Sequence, residues 1–250
     1  FKKNYSVFIC NTSQTEEKEI AYFKSLDSKL VDGIMCISGS EELPTNIITR
    51  DIPIVCIDRK PKYHNNVYYV ESNHYSGGYL ATEELIKKGC KRIAIISRNK
   101  SLSVNQQRLE GYLQALKDYG LTAYEELQIL LDISSSNYDG AKHATEKLIQ
   151  SGIPFDGVFA TNDWRAYGVL VALTESHIRV PEDVKVIGFD DIPISYACQP
   201  PLSTIHQNTK QLAQKASGLL LSLMNGETVD VDEKHYILPV ELIQRDSTSL

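Results

Sequence analysis

Short apolar runs alternate with amphipathic stretches along most of the 250-residue chain. The runs are rich in β-branched and aromatic residues, and they lie at residues 7–10, 33–37, 54–57, 93–96, 129–131, 157–160 and 184–189. A parallel strand that is covered on both faces is apolar nearly throughout, whereas a strand with one wet face alternates. The runs therefore predict buried parallel strands.

Apolar residues between these runs recur at the spacing of a helix. The four clearest stripes begin at Leu109, Ala141, Ala166 and Leu212. Gly152 is placed to end the second of these helices in a left-handed conformation. The alternation of strands and helices predicts an α/β fold with parallel sheets and right-handed crossovers. Similar Asp-Gly turns at Asp32 and Asp156 each precede an apolar run and indicate two similar lobes.

Length and charge exclude several classes of protein. A chain of 250 residues corresponds to one or two domains, and no apolar run approaches the about 20 residues that span a bilayer. The N-terminal residues do not resemble a secretory leader. Lys and Arg total 26 against 32 Asp and Glu, a net charge of −6. Because an acidic surface attracts phosphate backbones poorly, we do not expect this chain by itself to bind DNA.

The five cysteines are an odd number and show no C-x-x-C or Cys/His spacing. Cys10, Cys36 and Cys56 lie inside apolar runs, so we predict buried free thiols in a reducing compartment, the cytoplasm. No metal site is predicted. The six histidines also lack ligand spacing and are interpreted as surface or core residues.

Sequence motifs of common enzymes are absent. The chain has no G-x-S-x-G elbow, H-E-x-x-H pair, Walker A loop or G-x-G-x-x-G turn, and no cofactor is predicted. The segment 76–78 (Ser-Gly-Gly) fits either an approach to a phosphate or close helix packing, and packing is the favoured interpretation. An α/β enzyme with Asp190 or Asp163 as general base stays an alternative, but no nucleophile or metal set accompanies these carboxylates.

Polar side chains close several of the predicted strands. In open parallel sheets ligands bind beyond the carboxyl ends of the strands, where this chain places Asp58, Arg59, Arg108, Asn162, Asp163, Asp190 and Gln207. Carboxylates accept hydrogen bonds from hydroxyls, guanidinium groups donate to oxygens, and Trp164 could stack on a sugar face. The mixture suits an uncharged, polyhydroxylated ligand. Each residue taken singly also fits a helix cap or a salt bridge.

The segment 180–191 (VPEDVKVIGFDD), followed by 200–207 (PPLSTIHQ), closely resembles the effector-binding core of the lactose-repressor/galactose-repressor family of bacterial transcription regulators. Supporting segments occur in the family order at 31–34, 52–59, 78–82, 89–94, 108–112 and 160–163. The resemblance covers nearly the whole chain. It is most specific between residues 180 and 207.

The resemblance implies a two-lobed fold like that of periplasmic sugar-binding proteins, with three crossovers and the ligand in the cleft. Each lobe is a parallel sheet flanked by helices. The first lobe is expected at 1–97 plus 208–228, without its first strand and helix, which we expect upstream. The second is expected at 98–206 plus 229–250. The ligand-binding residues carried over are Asp58, Arg108, Asn162 and Asp190, with Arg59, Trp164 and Gln207 as weaker matches. Ile133 stands where the family often has an aromatic ring.

The function implied is that of the effector-binding and dimerisation domain of a cytoplasmic repressor. It is expected to sense a small sugar, either a pentose such as ribose or a small hexose, and to transmit lobe closure to a DNA-binding head. The family's helix-turn-helix is absent from this chain, so operator DNA would be bound only through that head. The partners expected are the sugar and a second copy in a homodimer, with no membrane. The alternative is a periplasmic sugar-binding protein of a transport system, which the unpaired cysteines disfavour.

Overall fold

The computed structural model describes residues 5–13, 15–37, 43–58, 67–98, 103–132, 136–227, 229 and 234–249. Arg59 and Ile133 lie outside the described residues. The chain forms two compact units, one of Phe1–Val70 with Ala213–Tyr236 and one of Glu71–Leu212 with Ile237–Leu250. It passes from one unit to the other three times. The predicted α/β class is confirmed.

Seven α-helices, two short 3-10 helices (Thr45–Ile47 and Glu125–Leu127) and ten strands are assigned within the described ranges. The helices are α1 (Glu16–Ser28), α2 (His74–Lys87), α3 (Ser103–Asp118), α4 (Asn137–Gln150), α5 (Asp163–Glu175), α6 (Ile194–Ala197) and α7 (Thr209–Met224). The strands are β1 (Ile34–Ile37), β2 (Ile54–Ile57), β3 (Val67–Ser72), β4 (Ile93–Arg98), β5 (Gln128–Leu131), β6 (Gly157–Ala160), β7 (Lys185–Asp190), β8 (Ser203–Gln207), β9 (His235–Leu238) and β10 (Val240–Ile243).

A four-stranded sheet of order β1-β2-β3-β9 combines three strands from the first part of the chain with β9 from near its C-terminus. Strands β1, β2 and β3 are parallel. Phe23 of α1 packs with Ile34, Cys56 and Val67 in one buried cluster. Strands that are apolar along their whole length need such a cluster to bury their side chains.

The predicted strand at residues 7–10 is wrong in this structure. These residues lie in no strand, and Val7 and Ile9 are 82% and 93% exposed. An apolar run becomes a strand only where a neighbouring strand takes its backbone hydrogen bonds. No described strand does so here, because β1 pairs with β2 alone and lies at an edge of the sheet.

A six-stranded sheet of order β10-β8-β7-β6-β4-β5 forms the centre of the second unit. All neighbours are parallel except β10, which runs antiparallel to β8. Side chains alternate between the two faces with period two. Ile95, Phe159 and Ile187 pack with α2 and α3 residues on one face, whereas Ala94 and Val158 pack with α4 and α5 residues on the other.

The boundary between the units differs from the predicted one at residue 97. Strand β4 pairs with β5 and β6, so its hydrogen bonds tie it to the six-stranded sheet. Helix α2 packs on α3, and the second unit therefore begins at Glu71. The last two passages lie at residues 212–213 and 236–237, later in the chain than the predicted positions at 207–208 and 228–229.

Helices α2 and α3 approach closely through glycine. A Cβ added at Gly78 would collide with the carbonyl oxygen of Arg108, and one added at Gly111 would collide with the carbonyl oxygen of Tyr75. Gly77 faces the ring of Phe189 in the same way. These contacts favour the packing interpretation of segment 76–78. The glycine contacts also set the distance between Arg108 and the sheet.

We expect Gly111→Ala to destabilise the protein by about 1–3 kcal/mol, because the new methyl group overpacks the backbone of α2. The matched control is Gly218→Ala in α7, where a Cβ meets nothing within 4 Å. That change should be neutral or stabilising by up to about 1 kcal/mol, since alanine is the better helix former. Urea unfolding followed by circular dichroism measures both. Equal midpoints for Gly111→Ala and the wild type would contradict the close-packing argument.

Candidate functional site

The polar residues of the second unit gather at the carboxyl edge of its sheet. Thr161 follows β6, Asp190 ends β7 and Gln207 ends β8. Arg108 reaches this edge from the second turn of α3, rather than from the helix start that the sequence predicted. The structure thus brings three of the predicted ligand residues, Arg108, Asp190 and Gln207, into one group.

The guanidinium of Arg108 is held in a fixed position. The residue is 7% exposed, and its guanidinium carbon lies 3.6 Å from the centre of the Phe189 ring. Its Nη1 donates to the carbonyl oxygen of Thr161. Its Nη2 lies 3.6 Å from Oδ1 of Asp190. A cation with its face on a ring and its edges in hydrogen bonds is oriented before any ligand arrives.

Asp190 combines a strained backbone with an available oxygen. Its φ of +110° is one that side-chain-bearing residues rarely adopt. Oδ1 accepts a hydrogen bond from Nε2 of Gln207 at 2.7 Å, and Oδ2 has no hydrogen-bond partner among the described residues. Burial raises the pKa of this carboxyl, and the charge of Arg108 opposes that rise. The carboxylate oxygen that remains can accept from a ligand hydroxyl.

Three buried polar atoms of this unit lack hydrogen-bond partners among the described residues. One is Oδ1 of Asn137, and the other two are Nε of Arg165 and Oε1 of Gln207, whose side chains make other hydrogen bonds. Nη1 of Arg165 donates to Oγ1 of Thr161 at 2.8 Å. Burial, and secondarily the charge of Arg108, lowers the pKa of Arg165 to about 10. Unsatisfied buried groups cost about 1–3 kcal/mol each, and a polar molecule with both acceptor and donor groups beside Arg165 and Gln207 would offset that cost.

Asn162 and Trp164 flank the start of α5. Oδ1 of Asn162 accepts from the backbone N–H of Arg165 at 2.8 Å, so this side chain is the N-cap of the helix. Its amide N–H groups and the second lone pair of Oδ1 remain for a ligand. Trp164 is 47% exposed and stands edge-on to Tyr167, with ring centres 6.4 Å apart. Its exposed indole leaves the predicted stacking role open.

Asp163 has a structural position. It is fully buried, Oδ1 accepts from Oγ1 of Thr204 at 2.6 Å, and Oδ2 accepts from the backbone N–H of Ile192 at 2.8 Å. It thereby ties α5 to β8 and to the turn after β7. Burial raises the pKa of Asp163 to about 7. Because both oxygens are occupied and no solvent reaches them, the alternative of Asp163 as a general base is disfavoured.

Asp58 belongs to the first unit and is described within it. It follows β2 with a φ of +49°, and its backbone N–H donates to the carbonyl oxygen of Val70 at 3.0 Å. Aspartate adopts this left-handed backbone more readily than most residues. Its role in ligand binding stays a prediction.

Sequence reasoning missed two residues of this group, His74 and Arg165. His74 is fully buried, and its Nδ1 lies 3.2 Å from Nη2 of Arg108. It follows β3, a strand that the apolar-run criterion did not predict because Tyr, Glu and Ser interrupt it. Arg165 lies in the first turn of α5. The only sequence signal for it was its closeness to Asn162, a predicted ligand residue.

Within the described residues, no group of three or more His, Cys, Asp or Glu side chains could hold a metal ion. Over the same part of the chain, the helices are all too short or too polar to cross a membrane. Four of the five cysteines are buried and all five are unpaired.

The fold and the site define a ligand-binding protein of the two-unit α/β class. A profile described as a periplasmic binding protein-like domain matches residues 82–248. The chain is 32% identical over 252 residues to the "HTH-type transcriptional repressor PurR" of Vibrio atlanticus, covering 99% of this chain and 73% of that protein. It is 30% identical over 245 residues to the "Ribose operon repressor" of Halalkalibacterium halodurans, covering 98% and 70%.

A solved structure of a periplasmic binding protein/LacI transcriptional regulator from Alkaliphilus metalliredigens, complexed with D-xylulofuranose, superposes with a TM-score of 0.83. The two sequences are 29% identical, and the match covers 98% of this chain and 88% of that one. The chain belongs to the lactose-repressor/galactose-repressor family and comprises its periplasmic-binding-protein-like effector-binding domain. The resemblance stated from segments 180–191 and 200–207 is confirmed.

The raised pKa of Asp163 predicts a specific pH dependence of stability. Between the ordinary value of 3.8 and about 7, the folded protein holds a proton that the unfolded chain has released. This group therefore stabilises the fold most at low pH, and its contribution declines as pH rises through about 7. Relative to Asp163→Asn, the wild type should lose free energy of unfolding between pH 4 and 7, by at most about 1.4 kcal/mol per pH unit.

The measurement is urea unfolding of both proteins across that range. The control is Asp183→Asn, because Arg179 lowers the pKa of Asp183 to about 2, and this group does not titrate in the window. Parallel stability curves for the wild type and Asp163→Asn would show that the buried carboxyl titrates normally.

Proposed function

We propose that the site around Arg108 and Asp190 binds a small neutral sugar, either a pentose such as ribose or a small hexose. The observation that carries the proposal is the pairing of a fixed guanidinium with a carboxylate that retains one available oxygen. Nε of Arg165 adds a buried donor and Oε1 of Gln207 a buried acceptor. Sugar hydroxyls donate and accept at once, so they satisfy both kinds of group.

The charge balance supports a neutral ligand over an anionic one. Arg108 already faces Asp190, and a phosphate at this position would lie beside the carboxylate. Removing an anion from water beside a second anion is costly. Two named relatives agree with the sugar class: one is a ribose operon repressor and one is complexed with D-xylulofuranose.

The biological role proposed is allosteric transcription regulation in the cytoplasm, without enzymatic turnover. The relatives named as repressors support this role over that of a transport protein. In the proposed mechanism the sugar also contacts Asp58, and it favours a closed arrangement of the lobes that a DNA-binding head detects in a homodimer. The sugar can shift that equilibrium only by its differential affinity for the two states, typically about 1–3 kcal/mol.

A thermal-shift screen against pentoses, hexoses, their phosphates and purines tests the ligand class. A ligand at about 100 times its dissociation constant stabilises the folded state by about 2.7 kcal/mol. Stabilisation by a neutral pentose or hexose is expected. Stabilisation confined to phosphates or purines would contradict the sugar assignment while leaving the family unchanged.

For a sugar found in that screen, Arg108→Ala should weaken binding by at least about 1.5–3 kcal/mol, the usual value of a charge-assisted hydrogen bond. This corresponds to roughly tenfold or more in the dissociation constant. The matched control is Arg179→Ala, which removes an exposed arginine paired with Asp183. Titration calorimetry measures both, and an unchanged affinity in Arg108→Ala would exclude Arg108 from the binding site.

A further inference from the structure

We propose that His74 is a positioning residue for Arg108: its neutral imidazole accepts hydrogen bonds at Nδ1 and thereby orients the guanidinium that meets the effector. The orienting contact is a property of the protein without ligand. Its consequence for effector binding rests on the proposed function.

The geometry of the pair is that of one acceptor and two donors. His74 is the first residue of α2, directly after the N-cap Asn73, whose Oδ1 accepts from the backbone N–H of Ser76. The cap holds the backbone on which the imidazole sits. Nδ1 of His74 lies 3.4 Å from Nε of Arg108 and 3.2 Å from its Nη2. One edge of the guanidinium therefore faces a single ring nitrogen.

The two side chains also share an apolar support. The His74 ring lies with its centre 5.9 Å from that of Phe189, tilted by 36°, and the Arg108 guanidinium lies on the same ring at 3.6 Å. His74 is fully buried and Arg108 nearly so. Imidazole, guanidinium and phenyl ring thus restrict one another. In a site with little water, the direction of each hydrogen bond matters more than at the surface.

The chemistry of arginine determines the tautomer of the histidine. A guanidinium has donors only, so Nδ1 must be the unprotonated nitrogen and Nε2 must carry the proton. A second proton on Nδ1 would remove the acceptor and place a cation against Arg108. Asp190 from β7 interacts with both side chains and favours a cation at His74, whereas the adjacent guanidinium of Arg108 disfavours one. Asp190 is itself paired with Arg108 and Gln207, and the two donors of Arg108 that face Nδ1 require an unprotonated nitrogen there.

The contact with His74 matters for the site because it fixes a second part of the guanidinium. Nη1 is directed to the carbonyl oxygen of Thr161, which fixes one end of the group. The acceptor at His74 fixes the edge formed by Nε and Nη2, which restrains rotation of the guanidinium plane about the Cδ–Nε bond. The direction in which Arg108 donates toward Asp190 and toward an effector is then defined by α2 as well as by the sheet.

Two substitutions separate the acceptor from the packing. His74→Phe keeps an aromatic ring against Phe189 and removes the acceptor. His74→Asn removes the ring and keeps an amide oxygen near the position of Nδ1. Melting temperatures of both proteins show whether each folds. A purely structural role predicts that His74→Phe is the milder change, whereas the positioning role predicts that His74→Asn is.

The first measurement is nitrogen-15 NMR of the ligand-free protein at pH 7. We expect His74 in the Nε2-protonated tautomer, and a resolved Nε–H signal of Arg108 that is kept in His74→Asn and lost or broadened in His74→Phe. The tautomer is measured on the wild-type protein, so this result does not depend on whether either variant folds. A protonated Nδ1 in the wild type, or an Arg108 signal equally sharp in His74→Phe, would overturn the proposal.

The second measurement is titration calorimetry with D-ribose as the probe. We expect His74→Phe to weaken D-ribose binding at least tenfold and His74→Asn to stay within about threefold of the wild type, a difference of about 1.4 kcal/mol per factor of ten. The opposite order of the two variants would overturn the role in effector binding. If D-ribose does not bind the wild-type protein, the ribose assignment fails, and the NMR result alone decides the positioning role.

Discussion

The burial of one guanidinium, that of Arg108, organises the second unit of this protein. A buried charge is stable only when its hydrogen bonds and its charge are compensated. Its four partners come from three places in the fold: His74 of α2, Thr161 after β6, and Phe189 and Asp190 of β7. The glycine contacts between α2 and α3 let Arg108 come low enough to reach all of them. The close packing of α2 on α3 and the geometry around Arg108 therefore depend on each other.

The site is also incompletely satisfied, and that incompleteness fits a protein that responds to a ligand. Asp190 holds a strained backbone, and Arg165 and Gln207 each bury a polar atom without a partner among the described residues. Such costs oppose folding, so the surrounding sheet must supply the compensating stability. A ligand that satisfies these atoms recovers the cost when it binds. Both carboxyl oxygens of nearby Asp163 accept hydrogen bonds, and these attach α5 to β8 and to the turn after β7.

Periodicity predicted the strands whose apolar runs are continuous, and it failed where burial depends on a neighbour. Strands β2 and β6 coincide with predicted runs, because all their residues are buried. Strand β3 was missed, since its half-buried tyrosines and its terminal Glu and Ser break the pattern. Residues 7–10 have the pattern but no described partner strand. The first boundary between the units was predicted at residue 97 for a related reason. The residues of β4 do not show which strands it pairs with, and its pairing with β5 and β6 places it in the second unit.

The sequence by itself determined the fold class, the family, and the polar residues at the strand ends, because these depend on local composition and on motifs that need no knowledge of distant neighbours. Only the tertiary structure decided which of these polar residues meet. It placed Arg108, Asp190 and Gln207 together, assigned Asn162 to a helix cap and Asp163 to a buried network, and brought His74 to Arg108 across 34 positions of the chain. The physical reason is that a hydrogen bond depends on distance and direction in space, which the order of residues alone does not specify.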